Sequence, residues 1–287
     1  MSVPLHGSPG AHVPGRRRLG KIAEHALLML GAVAALFPLW FMAWSALRGQ
    51  ADYMAAPLGW PAAFTLENFR RAFGEDMGRW IVNSAIVTAG SVALVSLVCV
   101  PAAYAFVRLP FRGSGVLLKV FVFLMVIPPI VMLLPLFSLM TALGRVNHFD
   151  AVILAYAGLM FPFSVFMMVR FIEGIPNELY EAAIVEGASH WRILWTIVTP
   201  LLRPALLTLG IVNALWAWNE LLIAVVMLQS EDSRTLQAGL ALLKGKNTLD
   251  IPLVMAGATI SAAPLLLLYL FGQRFFMSGL LAGAIKE

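Results

Sequence analysis

Apolar residues dominate six long runs of the chain, at 22–47, 80–107, 116–143, 151–171, 201–228 and 253–276, while polar residues collect in the segments between them. A helix that crosses a bilayer needs about 20 mainly apolar residues. Each run is that long, so the pattern predicts an all-α integral membrane protein with six transmembrane helices, one domain over 22–276. Proline interrupts most of the runs, at Pro38, Pro101, Pro128, Pro129, Pro135, Pro162, Pro204 and Pro264. In lipid a carbonyl freed by proline needs a partner from a neighbouring helix or from water, so repeated breaks imply a packed bundle or a cavity. Pro128-Pro129 is the strongest break, readable as a hinge or as a static kink.

Composition narrows the class. Of 287 residues, 60% are hydrophobic and 12% charged, with a mean hydropathy of +0.85, a balance no soluble domain has. Residues 1–21 are rich in Gly, Pro and Arg and read as a disordered cytoplasmic tail ahead of an uncleaved first span; residues 277–287 read as a second cytoplasmic tail. The single cysteine, Cys99, lies inside an apolar run and reads as a packing residue. His6, His12, His25, His148 and His190 are scattered and suggest no metal site.

The formal charge of +5 reads as topology rather than nucleic-acid binding, because no basic patch interleaved with aromatic residues is present. With the amino terminus inside, Arg16, Arg17, Arg18, Lys21, Arg108, Arg112, Lys119, Arg170, Arg192, Arg203, Arg274 and Lys286 fall on the cytoplasmic side. Arg48, Arg70, Arg71, Arg79, Arg145, Arg234, Lys244 and Lys246 fall outside, mostly beside acidic residues. The bias is modest and puts both termini and the loop at 173–200 in the cytoplasm.

That loop is the most informative segment. Pro176 suits the start of a helix, where its missing N–H is not needed, and Glu178 sits where the helix dipole favours negative charge. Ala182, Ala183 and Gly187 are expected to leave a face almost without side chains, flanked by Glu178, Glu181 and Glu186. Gly187 can adopt the left-handed conformation that ends a helix, and Ser189 can cap a second one running through Trp191 and Ile193 toward Pro200. Two short helices at an angle serve equally as a docking surface or as a loop packed on its own bundle.

A second polar constellation lies inside the fifth run, at Asn213, Trp216, Trp218, Asn219 and Glu220. An intramembrane carboxylate is costly and therefore a functional candidate. Aromatic rings beside amides suit a sugar, whose C–H faces stack while its hydroxyls need donors and acceptors. The same groups can equally bond across helices to fix the bundle.

The order Glu181-Ala182-Ala183, then Gly187, then an isoleucine and Pro200 resembles the EAA loop of binding-protein-dependent ABC transporter permeases. Glu186 stands where that family usually has Asp, and Thr199 where it usually has Leu. Thr65-x-Glu67-Asn68-Phe69, Trp80-x-x-Asn83-Ser84, Asn213-x-x-Trp216-x-Trp218-Asn219-Glu220 and the glycine-rich end resemble its carbohydrate-uptake, maltose-type branch. The resemblance implies a type I ABC importer permease in the bacterial inner membrane, itself without cofactor or catalytic residues. It also implies four kinds of companion: membrane lipid, a second homologous permease, two ATPase subunits that carry ATP and Mg, and a solute-binding protein. The implied cargo is a sugar, an oligosaccharide or a polyol-type solute.

No energy-coupling motif of the chain's own competes with this. Gly15-x-x-x-x-Gly20-Lys21 imitates a phosphate-binding loop, but Ile22 replaces the hydroxyl that would hold magnesium. Two other readings remain: a stand-alone secondary transporter with Glu220 as its ion-coupling site, which would be expected to show inverted repeats, and an intramembrane enzyme, for which paired catalytic groups are missing.

Overall fold

The computed structural model describes residues 14–109, 111–246 and 250–284. Residues 1–13, Lys286 and Glu287, and the side chains of Arg16, Arg17, Arg18, Lys244, Lys246 and Arg274, lie outside what is described.

Four helices contain stretches long and apolar enough to cross a membrane alone, at Glu24–Ala46, Gly78–Arg108, Phe149–Glu173 and Ile251–Leu270, and the number reaches six if each of two bent helix pairs counts as one span. The first helix begins at Pro14 and the last runs to Ala284, so both reach into segments expected as tails.

The third run is a full break rather than a kink. Its halves, Ser114–Leu124 and Pro129–Ala142, meet at 101°. Pro128 is extended, at φ −62° and ψ 134°, because the residue before a proline is driven out of the helical region; Pro129 then opens the second half at the position where its missing N–H is harmless. By contrast Pro38, Pro101, Pro162 and Pro264 sit within unbroken helices. The fifth run divides too, into Arg203–Asn219 and Leu222–Met227, with Glu220 extended between them.

The second span packs most extensively on the fourth, the fifth crosses both, and the sixth lies against the fifth and the first. Cys99 is buried in this core with Val100, Ala103 and Met168, as a packing residue would be. The first span packs inward only through its last turns, where Ser45 and Ala46 are buried, whereas residues 24–40 are exposed on every side.

At the end of the bundle where the first span finishes, buried Arg48 organises the following loop. Its guanidinium donates to the Asp52 carboxylate (2.9 Å) and to the carbonyls of Asp52, Ala56 and Pro57. Asn68 Nδ2 donates to the carbonyls of Ala46 and Arg48, so the Thr65–Phe69 string anchors its loop. Trp80 is not the interfacial anchor that its position at a span boundary suggests. It is 6% exposed and lies flat against Gly239, where an added Cβ would come within 2.2 Å of the ring. Beside it Asn83 Nδ2 donates to the carbonyls of Asp232 and Arg234, and Ser84 Oγ accepts from Leu236 N–H.

Candidate functional site

The loop after the fourth span forms two short helices. The first, Asn177–Val185, begins directly after Pro176. It ends in a double closure: Ala188 N–H donates to Ala183 C=O and Gly187 N–H to Ile184 C=O, both at 2.9 Å, with Gly187 at φ +81°. This arrangement satisfies the last carbonyls and requires a left-handed residue, which glycine supplies without strain. Ser189 Oγ then accepts from Arg192 N–H at 3.3 Å and caps the second helix, His190–Ile193. A wide turn over Leu194–Val198 follows, in which Thr199 Oγ1 donates to Leu194 C=O. The segment His190–Leu201 meets the fifth span at 74°.

The expected open face of Ala182, Ala183 and Gly187 is split. Ala183 is 6% exposed and packs inward with Tyr180, whereas Ala182 and Gly187 face out with Glu181 and Glu186. Successive helical positions lie about 100° apart, so two adjacent alanines cannot both line one narrow face. The outward surface carries Glu178, Glu181 and Glu186 around Ile184, Val185 and Trp191, the last two 87% and 66% exposed. Acidic groups thus rim an apolar patch. The apolar part was not foreseen from the sequence, although the run Ile184-Val185 within an acidic segment was its signal.

The inner side of the loop is held by the end of the second span. Tyr104 Oη lies 3.0 Å from His190 Nδ1, and the Arg108 guanidinium stacks 3.4 Å above the Tyr180 ring while donating to Ile175 C=O and Asn177 Oδ1.

The intramembrane group separates into two sets. Asn213 Nδ2 donates to Ser164 Oγ on the fourth span (3.0 Å), and Trp218 Nε1 to Ser261 C=O on the sixth (3.3 Å); both residues are buried and bond across helices. Asn219 is exposed, and Trp216 and Glu220 are half-buried. Glu220 accepts from Tyr156 Oη at 2.6 Å and from the amides of Ile223 and Ala224. It therefore caps the second half of the broken span, where the helix dipole favours its charge. Trp216 meets Tyr156 edge to face at 5.4 Å. Tyr156, Ser164 and Ser261, partners of this group, were legible only as polar residues inside apolar runs. The geometry leaves Trp216, Asn219 and Glu220 as the three members that reach a surface.

A model of the family described as "Binding-protein-dependent transport system inner membrane component" matches residues 97–279, which include the two-helix loop and the broken fifth span. The chain belongs to this family. It is 33% identical over 267 residues to the sulfoquinovosyl glycerol transport system permease protein SmoH of Agrobacterium fabrum, covering 92% of each chain. It is 32% identical over 263 residues to the melibiose/raffinose/stachyose import permease protein MelC of Bacillus subtilis, covering 91% of this chain and 95% of that one. Its fold matches a chain from the crystal structure of a bacterial ABC transporter involved in the import of the acidic polysaccharide alginate, with a TM-score of 0.77 over 94% of this chain and all of that chain, at 24% identity.

The protein is thus the non-catalytic permease subunit of a binding-protein-dependent ABC importer, an inner-membrane component whose ATP hydrolysis resides in separate subunits. The comparisons lend no support to a stand-alone secondary transporter. Glu220, the residue that suggested one, has a structural place as a helix cap.

Proposed function

We propose that this permease pairs with a second, homologous permease to form a pore served by two ATPase subunits and a solute-binding protein, and that its two-helix loop at 173–200 is the ATPase-docking element. The observation that carries the reading is the outward face of that loop, where Glu181 and Glu186 rim Ala182, Val185 and Trp191, on a backbone fixed by Gly187 and Ser189. Ala183 acts from the inside, letting the helix approach the bundle. ATP and Mg belong to the partner ATPases, and this chain holds no cofactor. The excess of Lys and Arg on one side supports cytoplasmic termini and a cytoplasmic loop. The exposed stretch 24–40 of the first span and an apolar groove of about 600 Å³ between the second, fifth and sixth spans leave surface for the second permease.

The solute is a sugar, an oligosaccharide or a polyol-type compound. The transport systems to which both relatives belong support that class, and Trp216, Asn219 and Glu220 offer ring and hydrogen-bonding groups suited to it.

The test is co-purification in detergent with the two candidate partner types. Wild-type chain should bring down both the ATPase and the second permease, while Glu181→Lys should keep the permease and lose the ATPase. ATPase retention by Glu181→Lys and by Val185→Asp alike contradicts the docking assignment.

A further inference from the structure

The second span bonds to both ends of the mechanism through side chains. At one end its last turn grips both arms of the two-helix loop: Arg108 holds Ile175, Asn177 and Tyr180 on the first arm, and Tyr104 holds His190 on the second. At the other end Asn83 and Ser84 bond to the backbone of Asp232, Arg234 and Leu236, Arg79 pairs with the Asp232 carboxylate, and Trp80 lies against Gly239. Between these ends Gly78–Arg108 is one unbroken helix of 31 residues, about 46 Å long at the usual rise. The fifth span, which continues the loop covalently, is bent by 74° where it begins and broken again at Glu220, so it would absorb movement rather than carry it. The fourth span packs along the second and stiffens it.

The grip also has an incomplete feature. Arg108 Nε and Tyr180 Oη are buried with no hydrogen-bond partner among the described residues, beside a cavity of about 290 Å³ lined by Tyr104, Arg108, Asn177, Tyr180, Glu181 and His190. Buried polar atoms are rarely left unpaired, and coupling between distant sites needs an element with two discrete arrangements. A second arrangement of the loop has both the room and the unpaired atoms to settle into.

We propose that Tyr104 and Arg108 are positioning residues of a clasp that makes the second span the rod by which movement of the ATPase-docked loop reaches the segment Ser230–Gly239 at the far end. The proposal rests on the docking role assigned above, and neither residue lies on the outward, ATPase-facing surface.

The test uses the assembled importer in nanodiscs, with Cys99→Ser and a reporter Ser233→Cys, whose position is 7% exposed. The readout is the rate of labelling by a membrane-impermeant maleimide, with and without ATP and vanadate. In the parent complex nucleotide should change that rate. In Tyr104→Phe with Arg108→Met, which preserve most of the packed volume, ATP hydrolysis should continue while the nucleotide-dependent change in labelling is lost; Tyr104→Phe alone should reduce it.

A labelling change retained in the double variant overturns the proposal, as does a parent complex whose labelling ignores nucleotide. If the double variant does not assemble, Tyr104→Phe decides alone, a full response counting against the clasp. Failure of the docking role itself looks different: Glu181→Lys and Val185→Asp then both keep the ATPases in co-purification.

Discussion

At the scale of single residues, most of the costly groups are explained by what they touch. Glu220 is the example. A carboxylate in an apolar run suggests ion coupling, yet here it receives a tyrosine hydroxyl and two helix-opening amides. Removing it by Glu220→Ala leaves Tyr156 Oη and those amides without an acceptor, a loss of about 1–3 kcal/mol. Thermal unfolding in detergent should show a clear drop for Glu220→Ala and a small one for Glu220→Gln, whose amide oxygen still accepts. Equal stability of Glu220→Ala and wild type contradicts the cap. Asp52 gives a pH signature: the hydrogen bond from Arg48 holds its carboxyl below the ordinary value of 3.8, helped by a backbone bond at Ala62 and by the Arg48 charge, against a smaller opposing effect of burial. A depressed folded-state value means that the stabilisation is complete above about pH 4–5 and is lost as pH falls through the carboxyl's folded value. Asp52→Asn should flatten the acid limb of a stability-against-pH profile by lowering stability near neutrality while leaving the most acid end little changed.

At the scale of elements, the sequence was most legible where a local rule acts alone. Pro176, Gly187 and Ser189 predicted the start, stop and cap of the two-helix loop, because each fixes its own backbone or its neighbour's. The full break at Pro128-Pro129 was readable as a site but not as a 101° turn, since direction is set by packing. The break at Glu220 carries no proline or glycine signal and was missed; a side chain four positions from the amide it caps decides it. The place of Trp80 was illegible for the same kind of reason: its partner, Gly239, is distant in sequence, and only the fold shows that the absent side chain makes room for the ring. Gly239→Ala should therefore cost about 1–3 kcal/mol through overpacking, and pairing it with Trp80→Leu should recover part of the loss in the same unfolding assay. Additive losses contradict the contact.

For the whole molecule, a bundle that leaves residues 24–40 of its first span exposed on every side and carries an acid-rimmed apolar patch on one loop is built to be completed by other chains. Nothing in its own sequence pattern supplies an energy source, and its family places one in partner subunits. The most direct measurement is solute uptake into proteoliposomes with ATP enclosed, comparing the full complex, the complex carrying Glu181→Lys and this chain by itself, with a sugar that the binding protein retains as the probe. The account predicts ATP-dependent uptake by the full complex, little or none with Glu181→Lys, and none by the lone chain; uptake by the lone chain, or undiminished uptake with Glu181→Lys, would contradict it.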